Sequence, residues 1–269
     1  MTTRSKIAFL GGGNMARALL RGCLTRAGYA PEQLGVTDIS EAARSQLHSE
    51  LGVQVFTENQ AAARWADVVV LAVKPQVLPL VLGEIAPQLP PDKLVISIAA
   101  GVGCERIRDG LQGHVRIVRA MPNTPALVGA AATAIAAGRG ATSEDVAFAT
   151  ALFRSVGEVV AVAETSMDAV TGLSGSGPAY AFVAIEALSD AGVRAGLARD
   201  VATKLAAQTL LGAAQLVLET GDHPAKLKDM VTSPGGTTIA GLAAAERAGL
   251  RHALQAAVEA AVARAKELG

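Results

Sequence analysis

Short unbroken apolar runs recur through the first 165 residues and then stop. Ile7-Ala8-Phe9-Leu10, Leu34-Gly35-Val36-Thr37, the stretch from Asp67 to Val73, and Leu94-Val95-Ile96-Ser97-Ile98 are too short to be helices. Such runs suit parallel strands covered on both faces. Helical spacing fills the intervals, as in Ala18, Leu19, Leu20, Cys23 and Leu24. Val115-Arg116-Ile117-Val118-Arg119 alternates apolar with charged, further strands are expected at 131–137 and 157–162, and a helix at 143–155. Beyond that, helical periodicity takes over, across 178–192, 198–220 and 249–267. The pattern predicts an α/β domain over residues 1–164 and an all-α domain over 165–269. The late helices are rich in Ala and Leu over broad faces, with little chain to cover them. A buried core within one chain would explain those faces; a homodimer interface explains them better.

Composition narrows the class. Lys+Arg and Asp+Glu balance at 24 each, so the chain lacks the basic footprint of a nucleic-acid or anionic-membrane binder. No apolar run free of breakers reaches the roughly 20 residues of a membrane span. Met1-Thr2-Thr3-Arg4-Ser5-Lys6 leads straight into the first strand, without the apolar stretch of a secretion signal. Cys23 and Cys104 are isolated and form no CxxC pair. These features predict a cytoplasmic protein with free thiols.

The first apolar run meets Gly11-Gly12-Gly13-Asn14-Met15-Ala16, and a helical pattern follows at once. Strand, glycine turn and helix with GxGxxA spacing form a dinucleotide fingerprint. Gly11 permits the tight turn, Gly13 lets a pyrophosphate approach the backbone, and Ala16 lets helix and strand pack closely. The fold class is therefore α/β, an N-terminal Rossmann-type doubly wound, mostly parallel sheet followed by an all-α dimerisation domain. Asp38 ends the second strand, where an acidic residue accepts hydrogen bonds from the adenosine ribose, roughly 20 residues past the fingerprint. It could equally open a turn, with Ser40 capping the next helix. An acid at the ribose would repel a 2′-phosphate, and no Arg or Lys occurs before Arg44, so NADH is favoured over NADPH.

Lys74-Pro75 stands at the C-terminal end of a central strand, the edge where open α/β sheets bind ligands. Lys74 fits either a cofactor contact or an exposed loop lysine. Ala99-Ala100-Gly101 ends the next strand, with side chains small enough for a flat ring to lie against the backbone. Pro122 and Pro125 stiffen the loop around Asn123-Thr124, and Gly172-Leu173-Ser174-Gly175-Ser176-Gly177-Pro178 opens the first long helix with proline in its first turn.

Val231-Thr232-Ser233-Pro234-Gly235-Gly236-Thr237-Thr238 is a hydroxyl- and glycine-rich turn ahead of an alanine-rich helix. Its amides could form a carboxylate-binding nest at a helix start, or the turn could be an ordinary Ser/Thr cap. The chain has no HExxH, no clustered Cys/His, no GxSxG elbow and no P-loop, so no metal site is expected. A dinucleotide domain plus a carboxylate nest suggests hydride transfer to a small acid. Reducing a carbonyl usually needs a strong proton donor. An imine nitrogen can arrive already protonated, and a hydroxyl-rich turn without histidine suits that case.

Taken together, Gly11 to Ala16, Ala72-Val73-Lys74-Pro75-Gln76, Met121-Pro122-Asn123-Thr124-Pro125, Gly172 to Tyr180 and Thr232 to Thr238 resemble the motif set of pyrroline-5-carboxylate reductases, in order and across nearly the whole chain. The resemblance implies NADPH- or NADH-dependent reduction of 1-pyrroline-5-carboxylate to L-proline, the last step of proline biosynthesis. It also implies a helical domain of interleaved protomers, a homodimer, and often larger rings of dimers. Carried over, Gly11, Gly13, Asn14 and Met15 hold the pyrophosphate, and Asn59 touches the adenosine portion. Val73, Lys74 and Pro75 line the ribose and phosphate edge, and Ala99 and Ala100 lie near the nicotinamide. Ser233, Gly236, Thr237 and Thr238 bind substrate, with Thr238 as the catalytic hydroxyl at the ring nitrogen and the nest supplied by the partner protomer. One departure is Asp38, where many relatives carry Ser, Asn or Arg.

Two other readings share parts of this pattern. β-Hydroxyacid dehydrogenases resemble a GxxGxGxxxKxxxN pattern; Gly172, Gly175 and Gly177 fit it, but Ala181 and Ile185 stand where the Lys and Asn belong. A non-catalytic dinucleotide sensor would keep the fold, yet it has no use for the Ser233–Thr238 turn.

Overall fold

The computed structural model describes residues 5–113 and 116–268. Met1 to Arg4, His114, the expected strand start at Val115 and the terminal Gly269 lie outside the described residues. Eight strands form one sheet: β1 (Ile7–Leu10), β2 (Leu34–Thr37), β3 (Gln54–Phe56), β4 (Val68–Leu71), β5 (Leu94–Ser97), β6 (Ile117–Met121), β7 (Ala131–Ala137) and β8 (Gly157–Ala161). Their spatial order is β3-β2-β1-β4-β5-β6-β7-β8, parallel through β6. β7 turns antiparallel to β6, and β8 runs parallel to β7. This is the doubly wound sheet expected, with its reversal of winding between β1 and β4.

The connecting helices are α1 (Asn14–Thr25), α2 (Glu41–Leu51), α3 (Asn59–Trp65), α4 (Leu78–Ile85), α5 (Cys104–Gly110) and α6 (Ser143–Arg154). The strands β1 and β4 are apolar at every position because both of their faces are covered. Ile7 and Phe9 of β1 point into a layer with Leu19 of α1, Leu47 of α2 and Phe148 of α6. Ala8 and Leu10 point the other way, into a layer with Ala62, Leu78 and Ile107 of α3, α4 and α5. Burying such side chains from water stabilises each by about 1.5–3 kcal/mol.

Local polar groups fix the helix ends. Ser40 Oγ accepts from Ala43 N–H at 3.2 Å to start α2, and Gly52 ends it in the left-handed region at φ 69°. Lys93 Nζ donates to the carbonyls of Ala63 and Arg64, both at 2.7 Å, and to that of Ala66. It thereby caps the C-terminus of α3, where the helix dipole favours a cation.

From Met167 the chain is helical: α7 (Met167–Val170), one π-helical turn at Thr171–Gly175, then α8 (Gly177–Arg194), α9 (Arg199–Thr220), α10 (Pro224–Met230), α11 (Thr237–Arg247) and α12 (Leu250–Leu268). The chain divides into two compact units. One runs through Ser176 and resumes at Ala260; the other is Gly177–Glu259. Within the second, α8 packs on α9 where Gly192 faces Ala202, and Ser189 Oγ lies 2.7 Å from Thr203 Oγ1. Much of this unit's apolar surface is exposed, including Phe182, Val183, Leu205, Leu211 and Leu218. The helix α9 is long and apolar enough to cross a membrane by length and composition, although the sequence scan finds no unbroken apolar run of that length.

Candidate active site

The loops after β1, β2 and β4 close around a cavity of about 320 Å³ at the point where the sheet's winding reverses. Gly11, Gly13, Asp38, Asn59, Val73 and Lys74 all line it. A Cβ on Gly11 would lie 2.6 Å from the Ala72 carbonyl oxygen, and its φ of +106° is one that glycine favours. Gly13 differs: nothing lies within 4 Å of where its Cβ would be, so its backbone faces open space. It is also the N-cap of α1, with no side-chain cap. The first-turn amides of α1 at Asn14 and Met15 are thus presented without a competing side-chain acceptor, the arrangement that suits a pyrophosphate.

Asp38 has two roles. Its Oδ2 accepts from Gly12 N–H at 3.0 Å and its Oδ1 from Ser40 N–H at 2.8 Å, so it both ties down the glycine loop and opens the turn into α2. A carboxylate has about four lone-pair sites, which leaves capacity for a ribose hydroxyl. Arg44 Nη1 donates to the Asp38 carbonyl at 2.6 Å, so a guanidinium is closer to this acid than its place in the sequence suggested.

Asn59 is held from both sides. Its Oδ1 accepts from Thr37 Oγ1 at 2.6 Å, and its Nδ2 donates to Glu84 Oε2 at 2.7 Å. Thr37, Ile39, Thr57, Val77 and Val81 also line the cavity, and sequence reasoning passed over them. Thr37 and Ile39 flank Asp38 at a strand's C-terminal end, which is the signal that could have found them.

Pro75 and Ala100 line a separate apolar cavity of about 370 Å³ with Leu78, Leu82 and Val102. Ala99 is buried, beneath the surface that Ala100 reaches.

Ser233, Gly236, Thr237 and Thr238 lie in the second unit, at the start of α11. Gly235 is left-handed at φ +66°, and a side chain on Gly236 would run into Ser233 Oγ. Gly236 is the N-cap, with no side-chain hydrogen bond to the first turn. Thr232 Oγ1 donates instead to the Lys228 carbonyl at 2.6 Å. The ordinary Ser/Thr cap is therefore absent here, which leaves the opening amides of α11 without a side-chain cap acceptor.

Burial pushes both thiols, Cys23 and Cys104, up to about 12, so neither offers a thiolate at neutral pH. Among the described residues no three His, Cys, Asp or Glu side chains come together as a metal site.

A doubly wound sheet with a bare glycine turn at its switch point defines a Rossmann-type dinucleotide-binding protein. Comparison with known proteins narrows that class. Residues 164–268 match the family described as pyrroline-5-carboxylate reductase dimerisation, and residues 6–101 match NADP oxidoreductase coenzyme F420-dependent. The chain is 52% identical over 264 residues to a pyrroline-5-carboxylate reductase of Synechocystis, covering 98% of each. It superposes with a TM-score of 0.92 on the Coxiella burnetii enzyme, at 41% identity and 99% coverage of both chains. The Plasmodium falciparum pyrroline carboxylate reductase, solved with NADP bound, gives a TM-score of 0.90 at 33% identity and full coverage of both. The chain belongs to the pyrroline-5-carboxylate reductase family.

Proposed function

We propose that this protein reduces 1-pyrroline-5-carboxylate to L-proline with a reduced nicotinamide dinucleotide, the last step of proline biosynthesis. Full-length identity to enzymes of that name carries the reading. When bound, the dinucleotide supplies the hydride. The residues of the β1–β4 cleft suit it, because Gly13 opens onto free space and the first turn of α1 carries no side-chain cap. Gly11, Gly13, Asn14 and Met15 hold the pyrophosphate, Asp38 and Asn59 the adenosine side, Val73, Lys74 and Pro75 the ribose and phosphate edge, and Ala99 and Ala100 the nicotinamide. The division of labour is a dinucleotide domain over 1–164 and a substrate and dimerisation domain over 165–269.

At the other half of the site, the amides of Thr237 and Thr238 receive the substrate carboxylate, with Ser233 and Gly236 shaping the turn beside them, the Gly236 N–H donating to the Ser233 carbonyl at 3.1 Å. Thr238 Oγ1 hydrogen-bonds the ring nitrogen, holding the imine so that the adjacent carbon is presented for reduction. No strong acid is required, because the iminium carries its proton in. The partner protomer supplies this nest. A homodimer, and rings built from it, would cover the exposed apolar faces of α8 and α9, and α9 serves as an interface helix in a cytoplasmic enzyme. Asp38 favours NADH by repelling a 2′-phosphate.

The test follows loss of absorbance of the reduced cofactor with 1-pyrroline-5-carboxylate, offering NADH and NADPH separately. Turnover with the cyclic imine, faster with NADH, is expected. Turnover with a 3-hydroxy acid and none with the imine would overturn the reading.

A further inference from the structure

The outer flank of α1 carries a second cavity, about 240 Å³, which shares no lining residue with the cofactor cleft. Arg17, Arg21 and Arg26 line it, along with Leu127, Val128 and Val156, and no carboxylate lines it. We propose that this cleft is a binding site for a small metabolite-sized oxyanion, a phosphate or a polycarboxylate.

Charge is the first argument. Glu50 is the one carboxylate paired here, bound by Arg17 through both oxygens at 3.1 and 3.2 Å and by Arg21 at 3.4 Å. Among the described residues no ion pair joins Arg26 to an acid; its Nη1 donates to the Gly129 carbonyl at 3.1 Å. Three guanidinium groups against one carboxylate leave the cleft cationic, and guanidinium forks match carboxylate and phosphate oxygens.

Preorganisation is the second. Solvated arginines on a helix face wander, but Arg17 Nη1 is shared between both Glu50 oxygens and the side chain is only 23% exposed. Arg26 lies directly over Gly129, which is left-handed at φ 74°, and any side chain at that position would collide with the guanidinium. Donors fixed in advance lose less entropy on binding.

Size is the third. The volume, about 240 Å³, has room for one small anion. The apolar wall of Leu127, Val128 and Val156 suits a short carbon body as well as a bare anion.

Calorimetric titration of the full chain with inorganic pyrophosphate and, separately, with citrate tests this, with NADH saturating in both arms so that the cofactor cleft is filled. Saturable binding of at least one anion is expected, and the arm that binds tells phosphate from carboxylate. Arg21→Glu and Arg26→Ala should each weaken it by about tenfold or more, as loss of a charge-assisted pair does. Arg21→Glu leaves the Arg26–Gly129 contact intact and should turn over substrate normally, which separates lost binding from lost folding. No saturable binding of either anion with NADH present, or binding unchanged in both variants, would overturn the proposal.

Discussion

Asn123 Nδ2 donates to the Ser174 carbonyl at 3.0 Å, across 51 positions of sequence. Four residues beyond Ser174 stands Pro178, which has no N–H to return to that carbonyl as a helix would require. The chain instead makes a π turn, with Ser176 N–H reaching the Thr171 carbonyl at 2.9 Å, and the asparagine amide takes the place of the missing backbone donor. Asn123 Oδ1 meanwhile accepts from Ala132 N–H at 2.9 Å, so one buried side chain joins the start of β7 to the helix that follows α7. Asn123→Ala leaves a donor and an acceptor unsatisfied, at about 1–3 kcal/mol each. The expected result is a lower denaturant midpoint at unchanged m-value. Asn123→Asp keeps the acceptor but turns an oxygen toward the Ser174 carbonyl, and should be no better than alanine. An alanine variant as stable as the parent would show that the carbonyl is satisfied in some other way.

That clamp marks the limit of what the sequence could reveal. The glycine fingerprint and central strands were legible because each rests on neighbouring residues with one physical reason, a tight turn or burial on two faces. The five motifs were legible as a family pattern, while the family assignment rests on identity along nearly the whole chain. Long-range partners were not. Nothing local links Asn123 to Ser174, Arg26 to Gly129, or Thr37 to Asn59 and Glu84. The edge strand β3 is three residues long and half exposed, too weak a pattern to read. Asp38 was legible as a ribose acceptor or a turn residue, but its hold on Gly12 N–H appears only once β1 and β2 lie side by side.

The dual role of Asp38 decides how its cofactor preference should be tested. Removing the side chain frees Gly12 N–H and loosens the loop for both cofactors, which confuses charge with geometry. Asp38→Asn removes the charge and keeps one acceptor, which can hold Gly12 N–H while giving up Ser40 N–H. With the repulsion gone and Arg44 nearby, kcat/KM with NADPH should rise relative to NADH by about tenfold, the scale of one screened charge contact. Steady-state kinetics with both cofactors measure it. A ratio unchanged from the parent would confine Asp38 to holding the loop.

Asp145 is fully buried, and Arg116 grips it at 2.5 and 3.2 Å. Its Oδ2 also accepts from Thr142 N–H at 2.9 Å, closing a capping box at the start of α6. Burial alone would raise this carboxyl, but Arg116 and Thr142 outweigh it and hold it below the usual range. A depressed folded pKa means the stabilisation is complete above the unfolded value, about 3.9, and is lost as pH falls through the folded one. Asp145→Asn should cost about 2 kcal/mol near neutrality, with Arg116 partly solvated. The gap in melting temperature between parent and variant should narrow steadily below about pH 4. A gap that stays constant to pH 2 would remove the ion pair from the account.

Thr238 separates substrate chemistry from cofactor binding, because it lies in α11 and lines no part of the β1–β4 cavity. In the proposed reaction its amide and hydroxyl have different duties, and substitutions divide them. Thr238→Ala keeps the backbone donor for the carboxylate and removes the hydrogen bond to the ring nitrogen. Losing a hydrogen bond to a charged group costs about 1.5–3 kcal/mol, so kcat/KM should fall by about 10- to 100-fold. Thr238→Ser retains the hydroxyl and should recover most of that activity. Cofactor affinity, read by fluorescence titration without substrate, should be the same in all three proteins. Loss of cofactor binding in the alanine variant would reassign Thr238 to the dinucleotide. Full activity in alanine would leave the iminium N–H to another acceptor and reduce the turn to its backbone amides.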